Sequence, residues 1–308
     1  MMETTQRTKI GGAVAVALSA MLWGIDGILL TPQLYNLDTA FVVFVIHLFP
    51  FLLMNIFFYK EYGKLRTMTK SDLLYFFLIA LFGGALGTLA IVKSLFLLNF
   101  NNLSVIVLLQ KLQPVFAVIL ARIILKERIK RHFALWAGIA LVAGYFLTFG
   151  WSLPDFSTDG IKTVYAALLS LLAAFSFGSS TVFSKKILGN YSFVSSTFFR
   201  YGFTTLIMFV IVLLAGHIGD FSLITQRNWL FIALIGLTTG SGAIFLYYYG
   251  LRNVRASLST FLELMYPITA VVLDYFVNKT VYSPVQWAAA FVMLFAIVML
   301  NMGEKKAA

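Results

Sequence analysis

The chain has no cysteine, and this excludes disulfides, thiolate metal sites and thiol catalysis. Histidine is nearly as scarce. His47, His132 and His217 stand far apart, so no imidazole metal cluster and no cofactor is expected. Charge is short as well: charged residues are 11% of the chain, against roughly 25% in soluble domains. That leaves too little polar surface to cover a water-soluble globule, and no polar stretch is long enough for a separate soluble domain. Asp-rich or His-rich spacings of the kind that hold a catalytic metal or do acid/base work are also missing, which counts against a membrane-embedded enzyme. No filter-like polar stripe points to a channel. No catalytic residue is expected.

Apolar sequence is what the chain has in excess. Runs lie at 10–30, 39–58, 73–98, 103–125 and 133–149, then at 164–183, 193–215, 229–249, 256–277 and 285–300. Each approaches the roughly 20 residues that a helix needs to cross a bilayer core. No small-residue cleavage signal follows a short hydrophobic region at the start, so the first run is expected to be a retained helix. The expected fold class is an all-α integral membrane protein of ten transmembrane helices.

The formal charge of +11 would suggest nucleic acid in a soluble protein. Its placement says otherwise. With a cytoplasmic N-terminus, 17 of the 23 basic residues fall in inner segments, from Arg7 and Lys9 to Lys305 and Lys306. The positive-inside rule selects that orientation, with both termini in the cytoplasm and the chain in the inner (cytoplasmic) membrane. The expected partners are the lipid bilayer and a small-molecule substrate, with a coupling proton or exchanged solute beside them, and no nucleic acid.

The longest polar stretch, 150–162, divides the chain into 1–150 and 151–308, with five apolar runs in each. Five is odd, so homologous halves must be inserted upside down relative to one another, as in many transporters. The sequence supports such a repeat. A shift of 153 places Ser104 and Pro114 on Ser257 and Pro267, Gly87 on Gly240, and His47 on Arg200. A shift of 154 sets Trp23-Gly24 on Phe177-Gly178.

These features resemble the drug/metabolite transporter superfamily, specifically its EamA-type members. Trp23-Gly24 is similar to the family's WG element. The stretch from Gln113, with Pro114, the turn Lys126-Glu127-Arg128 and a glycine-containing next helix, resembles its signature, and Pro267 with ITAVVLDYF looks like the second copy. Asn278-Lys279-Thr280 departs from the acidic-basic turn. The resemblance implies two EamA-like repeats and export or exchange of a metabolite, and it names no cargo.

Ionisable residues inside apolar runs cost about 2.5 to 3.5 kcal/mol on insertion scales, so each should face a cavity or a partner. Lys111 lies eight residues into its run, about 12 Å deep, and Glu263 about 10 Å deep from the opposite face. Both approach the midplane, where carrier sites form. Gln110, Lys111 and Glu263 are expected to border a central cavity, with His47 and Arg200 reaching it and Trp23 supplying an aromatic wall. The alternative is that Lys111 and Glu263 pair with one another or with Arg200. Asp26 and Glu263 are candidate proton-coupling carboxylates. Lys93 and Asp274, near helix ends, are expected to be interfacial. Tyr247, Tyr248 and Tyr249 read either as cavity wall or, preferably, as a membrane-interface belt. Lys111 or Arg200 with Glu263 would suit an amino-acid-like or amine solute, exported or exchanged by alternating access. Uptake of a nucleoside, nucleotide-like or quaternary amine solute is the alternative, and a membrane-embedded enzyme is a weaker one.

Overall fold

The computed structural model describes residues 2–97, 109–153, 161–277, 279 and 281–305. Every regular element among them is helical. Eight stretches among the described residues are long and apolar enough to cross a membrane, and two shorter apolar helices, Gln113–Ile124 and Pro284–Leu300, accompany them.

The first half opens with α1 (Met2–Ile25), which runs on through a π-helical turn at Asp26–Leu30, and α2 (Thr39–Phe58). Next come α3 (Lys70–Ile79) and α4 (Gly87–Leu97), joined end to end by the π-helical segment Ala80–Leu86. α5 (Gln113–Ile124) and α6 (Arg131–Phe149) complete it. The second half holds α7 (Ile161–Ile187) and α8 (Phe193–Leu214). In the same way α9 (Gln226–Ile235) continues through π-helical Gly236–Gly240 into α10 (Ser241–Asn253). It ends with α11 (Ala256–Leu262), α12 (Met265–Val277) and α13 (Pro284–Lys305).

Local chemistry explains these boundaries. Capping boxes start α3 at Thr69 with Asp72 and α9 at Thr225 with Asn228, and each satisfies otherwise orphaned backbone donors. Each of these spans then carries its π-helical segment at midlength. Gly84, in the first of them, lets α8 approach so closely that a β-carbon there would run into Thr204.

The two proline positions mark breaks. α11 and α12 are separated by a turn at Glu263–Leu264, with Pro267 in the first turn of α12, where its missing N–H costs nothing. α5 likewise begins after a turn at Lys111–Leu112, with Pro114 at its second position. The expected start of that run, including Ser104, lies outside the described residues, as do 154–160 of the central polar stretch. Lys126 and Lys279 are the described non-glycine residues with positive φ, at 56° and 58°, and they stand 153 positions apart. The positive-φ position is therefore kept where, at the same shift, Thr280 and Val281 stand in the sequence in place of Glu127 and Arg128.

Packing pairs the halves. α1 lies on α10 and α12, while α7 lies on α4 and α5; α2 packs on α8, and α6 on α13. Each of these contacts joins a helix before residue 150 to one after it.

Candidate functional site

The centre of the helix packing encloses a cavity of about 290 Å³. Trp23, Asp26, His47, Gln110, Lys111, Arg200 and Glu263 all line it. It extends toward the end of the molecule where α1 finishes and α2 begins, through Leu34 and Val42.

Glu263 sits in the break between α11 and α12. Gln113 Nε2 donates to its Oε2 at 2.6 Å, and the Tyr247 hydroxyl donates to Oε1 at 2.7 Å. Thr181 in turn shares a hydrogen bond of 2.8 Å with that hydroxyl. One network thus joins α5, α7, α10 and the α11–α12 turn, and so both halves of the chain. The Tyr247 ring also meets Trp23, with centroids 5.3 Å apart.

Lys111, in the turn before α5, donates its ammonium to the Gly144 carbonyl at 3.0 Å and to the Thr148 hydroxyl. The expected alternative of a Lys111–Glu263 or Arg200–Glu263 pair is not formed. Ion pairs among the described residues join Lys64 to Glu61, His217 to Asp38 and Asp220, and Arg255 to Glu127. Each cavity charge is instead held by neutral groups, because the breaks and π-helical turns bring carbonyls and hydroxyls within reach.

Arg200 spans from α8 to the third span and α10. Its Nη2 donates to the Gly83 carbonyl at 2.9 Å and Nη1 to the Tyr248 hydroxyl at 3.1 Å, while its Nε is buried with no protein acceptor. Tyr248 completes that side through Ser184 at 2.8 Å. His47 turns Nδ1 onto the Val43 carbonyl at 2.8 Å and lays its ring near Tyr201. Asp26, at the start of the π-helical turn, accepts from Thr31 at 3.0 Å and from Thr239 at 3.1 Å.

One expectation changes. Tyr247 and Tyr248 are 3% and 0% exposed and belong to the cavity wall and its support, whereas Tyr249 is 42% exposed. Successive helical residues point about 100° apart, so three tyrosines in a row cannot share one role. Gln110 lines the cavity, but the amide that reaches Glu263 is that of Gln113. Lys93 is exposed, and the Asp274 side chain lies outside the described residues.

Comparison with known proteins gives this cavity a context. The model of the EamA-like transporter family matches twice, at residues 10–149 and 164–302. A protein named riboflavin transporter ImpX, from Fusobacterium nucleatum subsp. nucleatum, is 53% identical over 294 residues, covering 95% of this chain and 98% of that one. Among solved structures, a crystal structure of a protein 14% identical aligns with a TM-score of 0.67 over 96% of this chain and 98% of that chain, a likeness of fold alone. This multi-pass membrane chain belongs to the EamA-like transporter family.

Proposed function

We propose that this chain carries riboflavin, or a closely related flavin, across the cytoplasmic membrane by alternating access around the central cavity. The observation that carries this reading is the 53% identity, over nearly the full length of both chains, to a protein named as a riboflavin transporter. The cavity chemistry agrees with it. A flavin is a flat, uncharged aromatic ring system with a polar edge and a hydroxylated tail, and Trp23, Tyr247 and Phe177 offer apolar faces beside carboxamides and hydroxyls. The flavin replaces the amino-acid-like solute favoured by sequence, since the carboxylate and ammonium that suggested a zwitterion are each engaged by neutral partners.

The carrier is built, on this reading, from two inverted repeats, 1–150 and 151–308, with ten membrane crossings and both termini cytoplasmic. Support comes from the double match to one family model, the exchanged helix contacts and the paired π-helical segments. The positive-φ turns 153 residues apart point the same way. An odd number of helices per repeat then sets them in opposite orientations. Asp26, bridged between Thr31 and Thr239, and Glu263 are the carboxylates through which a proton gradient acts.

Purified protein in proteoliposomes is expected to move labelled riboflavin saturably above protein-free vesicles. A panel of amino acids, amines and nucleosides serves as comparison, with the pH gradient imposed in either direction or absent. Flux of a panel member without riboflavin flux would refute the flavin assignment.

A further inference from the structure

We propose that Glu263 and Gln113 read the imide edge of the solute, the C=O, N–H, C=O face of its terminal ring, while Trp23 supports the ring plane. The proposal rests on the flavin reading above and specifies which part of the flavin is recognised.

One tyrosine sets the geometry. The Tyr247 ring contacts Trp23 at 5.3 Å between centroids, and its hydroxyl reaches Glu263 at 2.7 Å. An aromatic face and a carboxylate therefore lie one side chain apart on the wall of the same cavity. A flat ring resting on the indole presents an edge to that carboxylate. Each carboxylate oxygen has two lone-pair positions; Oε1 accepts from Tyr247 at 2.7 Å and from the Ser259 hydroxyl at 3.4 Å, and Oε2 accepts from Gln113. Among the described residues the second position on Oε2, beside the Gln113 amide, stays open for an incoming N–H. The Gln113 amide carries two N–H groups and gives one of them to Glu263, so the other can serve a neighbouring carbonyl. An acceptor flanked by a donor is the complement of an imide N–H flanked by a carbonyl.

Mutual satisfaction of Gln113 and Glu263 does not by itself account for the arrangement. A carboxylate with no cationic partner is costly to hold inside a membrane protein, and this one lies in a helix break facing the cavity rather than in packed core. A site built to accept a substrate N–H penalises an analogue that lacks it far more than it penalises a change in an apolar part.

The test compares three ligands on the full-length purified protein by quenching of flavin fluorescence: riboflavin, lumiflavin, which keeps the imide edge and lacks the ribityl tail, and 3-methylriboflavin, whose edge N–H is replaced by N–CH₃. Lumiflavin is expected to bind within about tenfold of riboflavin. 3-Methylriboflavin is expected to bind about 10- to 100-fold more weakly, the range for losing a hydrogen bond to a charged group. Glu263→Gln, and independently Gln113→Leu, should shrink the difference between riboflavin and its 3-methyl analogue; the wild-type comparison needs neither variant to fold. Equal binding of riboflavin and 3-methylriboflavin to the wild-type protein would overturn the imide-edge proposal and leave the flavin reading standing. Absence of riboflavin binding by protein that transports another solute would remove both.

Discussion

Lys111 stands in apolar surroundings with its ammonium held by the Gly144 carbonyl and the Thr148 hydroxyl instead of a carboxylate. Removing it strands nothing, because Thr148 already donates to the Gly144 carbonyl. An unpaired buried charge costs stability that a packed apolar side chain does not. Lys111→Met is therefore expected to leave the melting temperature unchanged or raised, by up to about 1 to 4 kcal/mol of stability, while lowering transport. Arg200 behaves oppositely. Its guanidinium ties the Gly83 carbonyl to Tyr248 and lies 5.7 Å from that ring. Arg200→Ala should cost about 1.5 to 3 kcal/mol, seen as a lowered melting temperature, with Arg200→Lys recovering part of it. The ionisable members of this site were legible in the sequence, because a charge within a spanning apolar run has few places to go. Gln113 and Tyr247 were not: a carboxamide carries no such penalty, and a run of tyrosines does not reveal which one faces inward.

At the level of the element, the end of the molecule where α5 finishes and α11 begins is tied by Glu127. Its carboxylate accepts from the backbone N–H groups of Ala256 and Ser257 at 2.9 and 3.2 Å and from the Ser257 hydroxyl, capping α11 from the other half of the chain. Lys185 caps the preceding helix end through the carbonyls of Leu251 and Arg252. Glu127→Ala is expected to cost about 0.5 to 2 kcal/mol, measured as a lower denaturation midpoint. Gly84→Val forces a side chain into Thr204 and should cost about 1 to 3 kcal/mol, with Thr204→Ala in the same chain restoring part of the loss. The spans were readable from apolar runs, and the breaks at Lys111 and Glu263 were hinted at by Pro114 and Pro267. The π-helical segments at Ala80–Leu86 and Gly236–Gly240 had no such marker. They change the helical phase through backbone hydrogen bonding, which leaves no residue signature comparable to proline.

For the whole molecule, the absence of native cysteine makes any introduced thiol the sole one. On the proposed topology, Trp151→Cys reacts with a membrane-impermeant maleimide on intact cells. Arg66→Cys and Arg128→Cys react only after permeabilisation, and labelling of all three from one side would contradict two five-helix halves of opposite orientation. The central claim, that the cavity between the halves is a flavin site, is tested most directly by solving the structure of the protein saturated with riboflavin. The account predicts density for the ring system against Trp23, with its imide edge at Glu263 and Gln113. Saturated protein whose flavin lies outside this cavity would contradict it.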